Sequence, residues 1–96
     1  MQIHVTDRAA EAIRGLGDNQ TMTIAYEFTG GCQGLQEFQL HASPGTTPEV
    51  RAADEDTLHL IEPAPVLDYH PTLKWLLKNK NQTIANNIHL YEHTEA

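Results

Sequence analysis

The sequence predicts a mainly β domain carrying one N-terminal helix, and three observations carry that reading. From Thr21 to Phe28 apolar and polar residues alternate, with Met22, Ile24, Tyr26 and Phe28 on one side of a strand. After a glycine-rich stretch the alternation resumes, with Gln36, Phe38 and Leu40 set against Leu35, Glu37 and Gln39. Helical spacing is clearest near the start, where Ala9, Ala10, Ile13 and Leu16 form a narrow stripe of mostly small residues. Ninety-six residues, 40% hydrophobic and 20% charged, suit a single globular domain spanning 1–96.

Taken in order, Ile3-His4-Val5 reads as a short strand. Thr6 or Asp7 then stands where a helix N-cap belongs, because either side chain can accept from the exposed backbone N–H groups of a first turn. Gly15, Gly17 and Asp18-Asn19 close the helix. The two alternating strands follow, expected to be antiparallel neighbours joined by the glycine stretch, with Met22, Ile24, Phe28, Phe38 and Leu40 in the core. Ser43 to Pro48 is turn-rich, and Glu49 to Asp56 reads as a solvated acidic surface. Thr57 to Ile61 is expected as a strand, Pro65 to His70 as one helical turn, and Thr72 to Leu77 as a strand or a helix fragment. Thr83 to Tyr91 reads as the last strand, with Asn86-Asn87 interrupting it as a bulge. A polar tail, His93 to Ala96, follows.

Charge narrows the partners. Thirteen acidic against six basic residues give a formal charge of −7. Nucleic acid and anionic membranes both demand a basic face, so neither is expected. Cys32 is the only cysteine, which excludes an intramolecular disulfide and fits a cytoplasmic protein. No apolar run has transmembrane length, and Met1-Gln2-Ile3-His4 leads directly into structured sequence, so no leader is expected.

The chemistry gathers at Phe28-Thr29-Gly30-Gly31-Cys32-Gln33-Gly34-Leu35-Gln36. Gly30, Gly31 and Gly34 around one thiol allow backbone angles closed to other residues, and hence a tight loop whose N–H groups can converge. Such a concavity favours the thiolate, the form of Cys32 that binds soft metals and attacks electrophiles. The competing reading is a small buried hydrophobe. His4, His41, His59 and His70 are scattered and read as surface or edge-strand residues. Asp68-Tyr69-His70 suggests an acid–base cluster, but three consecutive strand side chains do not converge.

The run Gly30-Gly31-Cys32-Gln33-Gly34-Leu35-Gln36, followed by alternating strand sequence, resembles the signature of the HesB-like family, the A-type iron–sulfur scaffold and carrier proteins. The order of a short strand, a Thr-Asp-opened alanine-rich helix, a strand and the glycine–cysteine loop is similar as well, as is the Asn86-Asn87 pair. The resemblance implies a compact mixed-sheet pseudobarrel or sandwich with one main helix. It also implies assembly or transfer of an iron–sulfur cluster or iron, without enzymatic turnover. Partners would then be iron–sulfur assembly or recipient proteins, and a second copy of the chain in a homodimer.

The sequence departs from that family at its C-terminus. Family members with carrier activity have a Cys-Gly-Cys there, which ligates metal together with the loop cysteine. Thr94 and Ala96 stand about where those cysteines would be. Cys32 alone is carried over as a metal ligand, and a four-cysteine cluster needs four thiolates. Histidine is the first substitute, because imidazole replaces thiolate in some clusters and suits mononuclear iron or zinc. His89 and His93 lie nearest the expected ligand tail, and Cys32 with one of them from each of two chains would complete a Cys₂His₂ set. Two further functions stay open: a degenerate HesB-like module acting through protein contacts without metal, and a cysteine-dependent hydrolase or thiol transferase.

Overall fold

The computed structural model describes residues 3–29 and 35–93. The elements run β1 (His4–Val5), α1 (Asp7–Arg14), β2 (Gln20–Thr29), β3 (Leu35–Pro44), β4 (Glu49–Ala52), α2 (Glu55–Ile61), β5 (Val66–His70), β6 (Lys74–Lys78), β7 (Thr83–Ala85) and β8 (His89–Glu92). The strands form two four-stranded sheets, β1-β5-β6-β7 and β4-β2-β3-β8. Both sheets are mixed, and the described residues are mainly β, with two short helices. No helix among the described residues is long and apolar enough to cross a membrane.

The period-two pattern of β2 and β3 produces the expected pairing. They are antiparallel from Gln20↔Pro44 to Thr29↔Leu35. Met22, Ile24, Leu40 and Ala42 turn inward and meet Leu67, Trp75 and Leu77 of the other sheet, with Ala9 and Ile13 of α1, Ile61 of α2 and Ile88 completing the core. Thr6 is the N-cap of α1, its side chain accepting from the Ala9 N–H at 3.2 Å. Asp7 in the first turn and Arg14 in the last complement the helix dipole.

One member of the expected core lies outside it. Phe28 is 69% exposed. The reason is the differing reach of the strands. β4 pairs only with Thr21 to Ile24 of β2, and β8 only with Gln39 to Ala42 of β3. From Tyr26↔Phe38 to Thr29↔Leu35 the hairpin therefore has no third strand, and it projects beyond the sheet as an arm. Strand alternation continues along the arm, and its apolar side is half-buried at Tyr26 and Phe38 but uncovered by the described residues at Phe28.

Residues 49–70 depart most from expectation. Glu49–Ala52 is a strand parallel to β2 rather than a loose acidic surface. The next acidic residue, Asp54, accepts from the Thr57 N–H at 2.8 Å and caps α2, which replaces the expected strand over Thr57 to Ile61. Thr57 and Ile61, four residues apart, are the buried pair, which is helical rather than strand spacing. Val66–His70 in turn is a strand instead of a helical turn, parallel to β1 and antiparallel to β6. Asn86-Asn87 is no bulge. It is the crossover from β7 in one sheet to β8 in the other, with Asn87 at φ 51°, a left-handed conformation that asparagine tolerates.

Candidate functional site

Gly30, Gly31, Cys32, Gln33 and Gly34 lie outside the described residues. What frames them is the end of the arm, where Thr29 pairs with Leu35. Phe28 and Leu35, at 69% and 65% exposed, are the two most exposed large hydrophobic residues described. By strand alternation they lie on opposite faces of the hairpin. Residues 30–34, which include Cys32, link these two strand ends in sequence, and the described end of the projection has an apolar side chain on either face.

The two tail histidines stand at a distance from that end. β8 runs parallel to β3, with His89 opposite Gln39 and Glu92 opposite Ala42. Each step toward the C-terminus therefore leads away from the arm. Gln39 is four residues along β3 from Leu35, roughly 13 Å at ordinary strand rise, and the rung of His93 is twice as far.

What the parallel pairing does assemble is a cluster on the outer face of β4-β2-β3-β8. The odd-numbered residues of β2, β3 and β8 share this face. His41 Nδ1 lies 3.0 Å from His93 Nε2, a distance that permits one N–H···N hydrogen bond. The rings are 21° from parallel with centroids 5.2 Å apart, so they meet edge to edge. The Tyr91 ring lies 5.1 Å from that of His41, and His89 packs edge-on against Tyr91 at 4.4 Å. On the other side of His41, Glu27 Oε2 approaches Nε2 at 3.9 Å, too far for a hydrogen bond. That Nε2 is buried and has no hydrogen-bond partner. Glu27 and His41 reach toward each other across the Ala25↔Gln39 rung, whose two residues are both buried. The approach also turns Glu27 toward a residue other than Glu37, the like charge directly opposite it.

Other titratable residues serve the fold or lie exposed. Asp68, 1% exposed, accepts from the Thr6 hydroxyl, from Arg8 Nη2 at 2.7 Å, from the Tyr69 N–H at 2.8 Å and from Lys78 Nζ at 3.2 Å. Burial by itself would raise its pKa, but these donors outweigh it and hold the carboxyl well below the usual range. This node ties the start of α1 to β5 and β6. His70 Nδ1 accepts from the Thr72 N–H at 3.0 Å and shapes the β5–β6 turn. His59 lies 3.6 Å from Glu62 on exposed α2, and His4 is exposed on β1. A cleft between β1, α1 and β4 reaches Gln20, at the opposite end of β2 from the arm.

No group of three or more His, Cys, Asp or Glu side chains among the described residues is arranged to hold a metal ion. Comparison with protein-family models, with curated proteins and with solved structures returned no match for this chain. From the sequence His41 reads as a surface or edge-strand residue, and nothing local singles out Glu27. His89, Tyr91 and His93 were recognisable as one face of a strand from their spacing of two. The partner strand and its register, which bring His41 to His93, are not encoded in any local pattern.

Proposed function

We propose that this chain is a HesB-like iron–sulfur assembly or iron-handling protein of the cytoplasm, with Cys32 as its principal ligand and the cluster as cargo. The observation supporting this reading is the arm. A metal-transfer thiol must be reached by donor and recipient, and a two-stranded projection with Phe28 and Leu35 uncovered offers such access. The donor set fits a shared, labile site rather than a closed one. One thiolate per chain leaves a cluster short of ligands, so a second copy, a small thiol or a recipient protein supplies the others. His89 and His93 remain the non-cysteine ligands of choice, contributed from a second chain because β8 leads away from the loop of its own.

The test is anaerobic reconstitution with iron and sulfide, counting both per chain in the wild type, Cys32→Ser, His89→Ala and His93→Ala. The expected outcome is bound iron and sulfide in the wild type and their loss in Cys32→Ser. Equal content in wild type and Cys32→Ser would reject the proposal. A second reading, protein contact without metal, is favoured by the same exposed Phe28 and Leu35, since apolar side chains on a projection suit a partner surface whether or not metal is present.

A further inference from the structure

We propose that in the cluster-free protein His41 Nδ1 and His93 Nε2 form a two-histidine site for a late first-row divalent cation, with Cu²⁺ the preferred ion, in which Cys32 takes no part. Two nitrogens bound to one metal at roughly 2.0–2.1 Å stand about 2.9 Å apart at a right angle and about 3.4 Å apart at a tetrahedral angle. The two ring nitrogens here are 3.0 Å apart, so no strand has to move to provide both ligands. The rings face each other edge to edge, and they must turn to aim their lone pairs at a common point. His93 has that freedom, being exposed just past the end of β8.

The surroundings of His41 also fit ligation. Its Nε2 is buried without a hydrogen-bond partner, and the nearest carboxylate is Glu27 at 3.9 Å. A metal-bound imidazole commonly donates its other N–H to a carboxylate, which fixes the tautomer and raises the basicity of the ligating nitrogen. With the proton on Nε2 facing Glu27, His41 Nδ1 carries the lone pair. His93 Nε2 then donates the hydrogen bond in the metal-free state. On binding, Nε2 gives up that proton to solvent, and His93 takes the tautomer with its proton on Nδ1. Imidazole pairs bind Cu²⁺ more tightly than Ni²⁺ or Zn²⁺ by the general order of divalent affinities. Solvent fills the other coordination positions, since no third ligand group converges there among the described residues. The site is therefore labile.

The experiment uses the Cys32→Ser protein, so that thiolate ligation plays no part and the outcome does not depend on the cluster proposal. Cu²⁺ is titrated and followed by electron paramagnetic resonance and calorimetry, with far-UV circular dichroism confirming the fold of each variant. The expected result is one exchangeable Cu²⁺ per chain, with a hyperfine pattern from two imidazole nitrogens. Adding His93→Ala or His41→Ala should weaken binding at least tenfold, and adding Glu27→Gln should weaken it less. Adding His59→Ala should change nothing. Should His41→Ala fail to fold, the exposed His93→Ala alone decides. Unchanged affinity in His93→Ala, coordination by a single nitrogen, or loss with His89→Ala in place of His41→Ala would each overturn the site.

Discussion

At the scale of single residues, Asp68 is the buried charge on which the packing of α1 turns. It carries four donors and is nearly inaccessible to water. Removing the charge leaves Arg8 and Lys78 unmatched, but both reach solvent, which moderates the loss. Asp68→Asn should therefore cost about 2–4 kcal/mol of unfolding free energy, less than stranding a fully buried partner would. The pH dependence follows from the direction of the shift. A carboxyl whose folded pKa lies below its unfolded value of about 4 contributes its full stabilisation above pH 4 and loses it as pH falls through the folded value. Urea unfolding of wild type and Asp68→Asn between pH 2 and 7 checks this, and the gap between them should narrow in acid. A constant gap over that range would mean that the carboxylate's charge is not what stabilises α1. In the sequence Asp68 stands beside Tyr69 and His70, whose side chains do not converge with it, and nothing local points to Thr6 and Arg8, some sixty positions away.

At the scale of elements, local signals were legible where one residue type settles the geometry. A cap at Thr6 or Asp7, the helix of Ala9 and Ile13, and the alternation of β2 and β3 could all be read from neighbouring residues, and the structure selects Thr6 as the cap. The Asp54 cap could not, because an acidic run looks solvated until one of its side chains is seen to bond three residues ahead. The turn between β3 and β4 shows a tighter constraint. Gly45 donates its N–H to the Asn19 carbonyl at 2.8 Å, and a Cβ there would lie 2.6 Å from Thr21 Oγ1 and 3.3 Å from the Asn19 oxygen. Gly45→Ala should destabilise by roughly 1–3 kcal/mol, the usual range for overpacking. Adding Thr21→Ala removes the nearer obstacle, so thermal melts of the double variant should recover part of the loss. No recovery would place the strain on the backbone contact instead.

At the scale of the whole molecule, the sequence showed the amount of β-structure but not its division into two sheets. Strand alternation says which residues share a face. It does not say that β1 pairs with β5, that β4 lies beside β2, or that β8 joins β3. Those pairings decide where the core stops, and hence why Phe28 is uncovered while Met22 and Ile24 are buried. They also predict how copies of the chain meet. If the arm is the contact surface, metal-free protein should self-associate at high concentration through Phe28 and Leu35. Sedimentation equilibrium should then show a weaker association for Phe28→Ser and Leu35→Ser. Identical behaviour of the three proteins would leave the arm free of any role in self-association.

The parallel seam between β3 and β8 also bears on the order of events as the chain is made. The β2–β3 hairpin joins residues close in sequence and can close within microseconds once both strands are free of the ribosome. Both flanking strands of that hairpin's sheet come later, β4 soon and β8 only after the whole of the other sheet has been laid down. Until β8 arrives, the outward edge of β3 from Gln39 to Ala42 has unpaired backbone groups open to any extended segment of another chain. A nascent molecule therefore passes through a stage in which its largest sheet is three strands wide and adhesive along one side. For cells crowded with unfinished copies on neighbouring ribosomes, that edge is the feature a chaperone would need to shield.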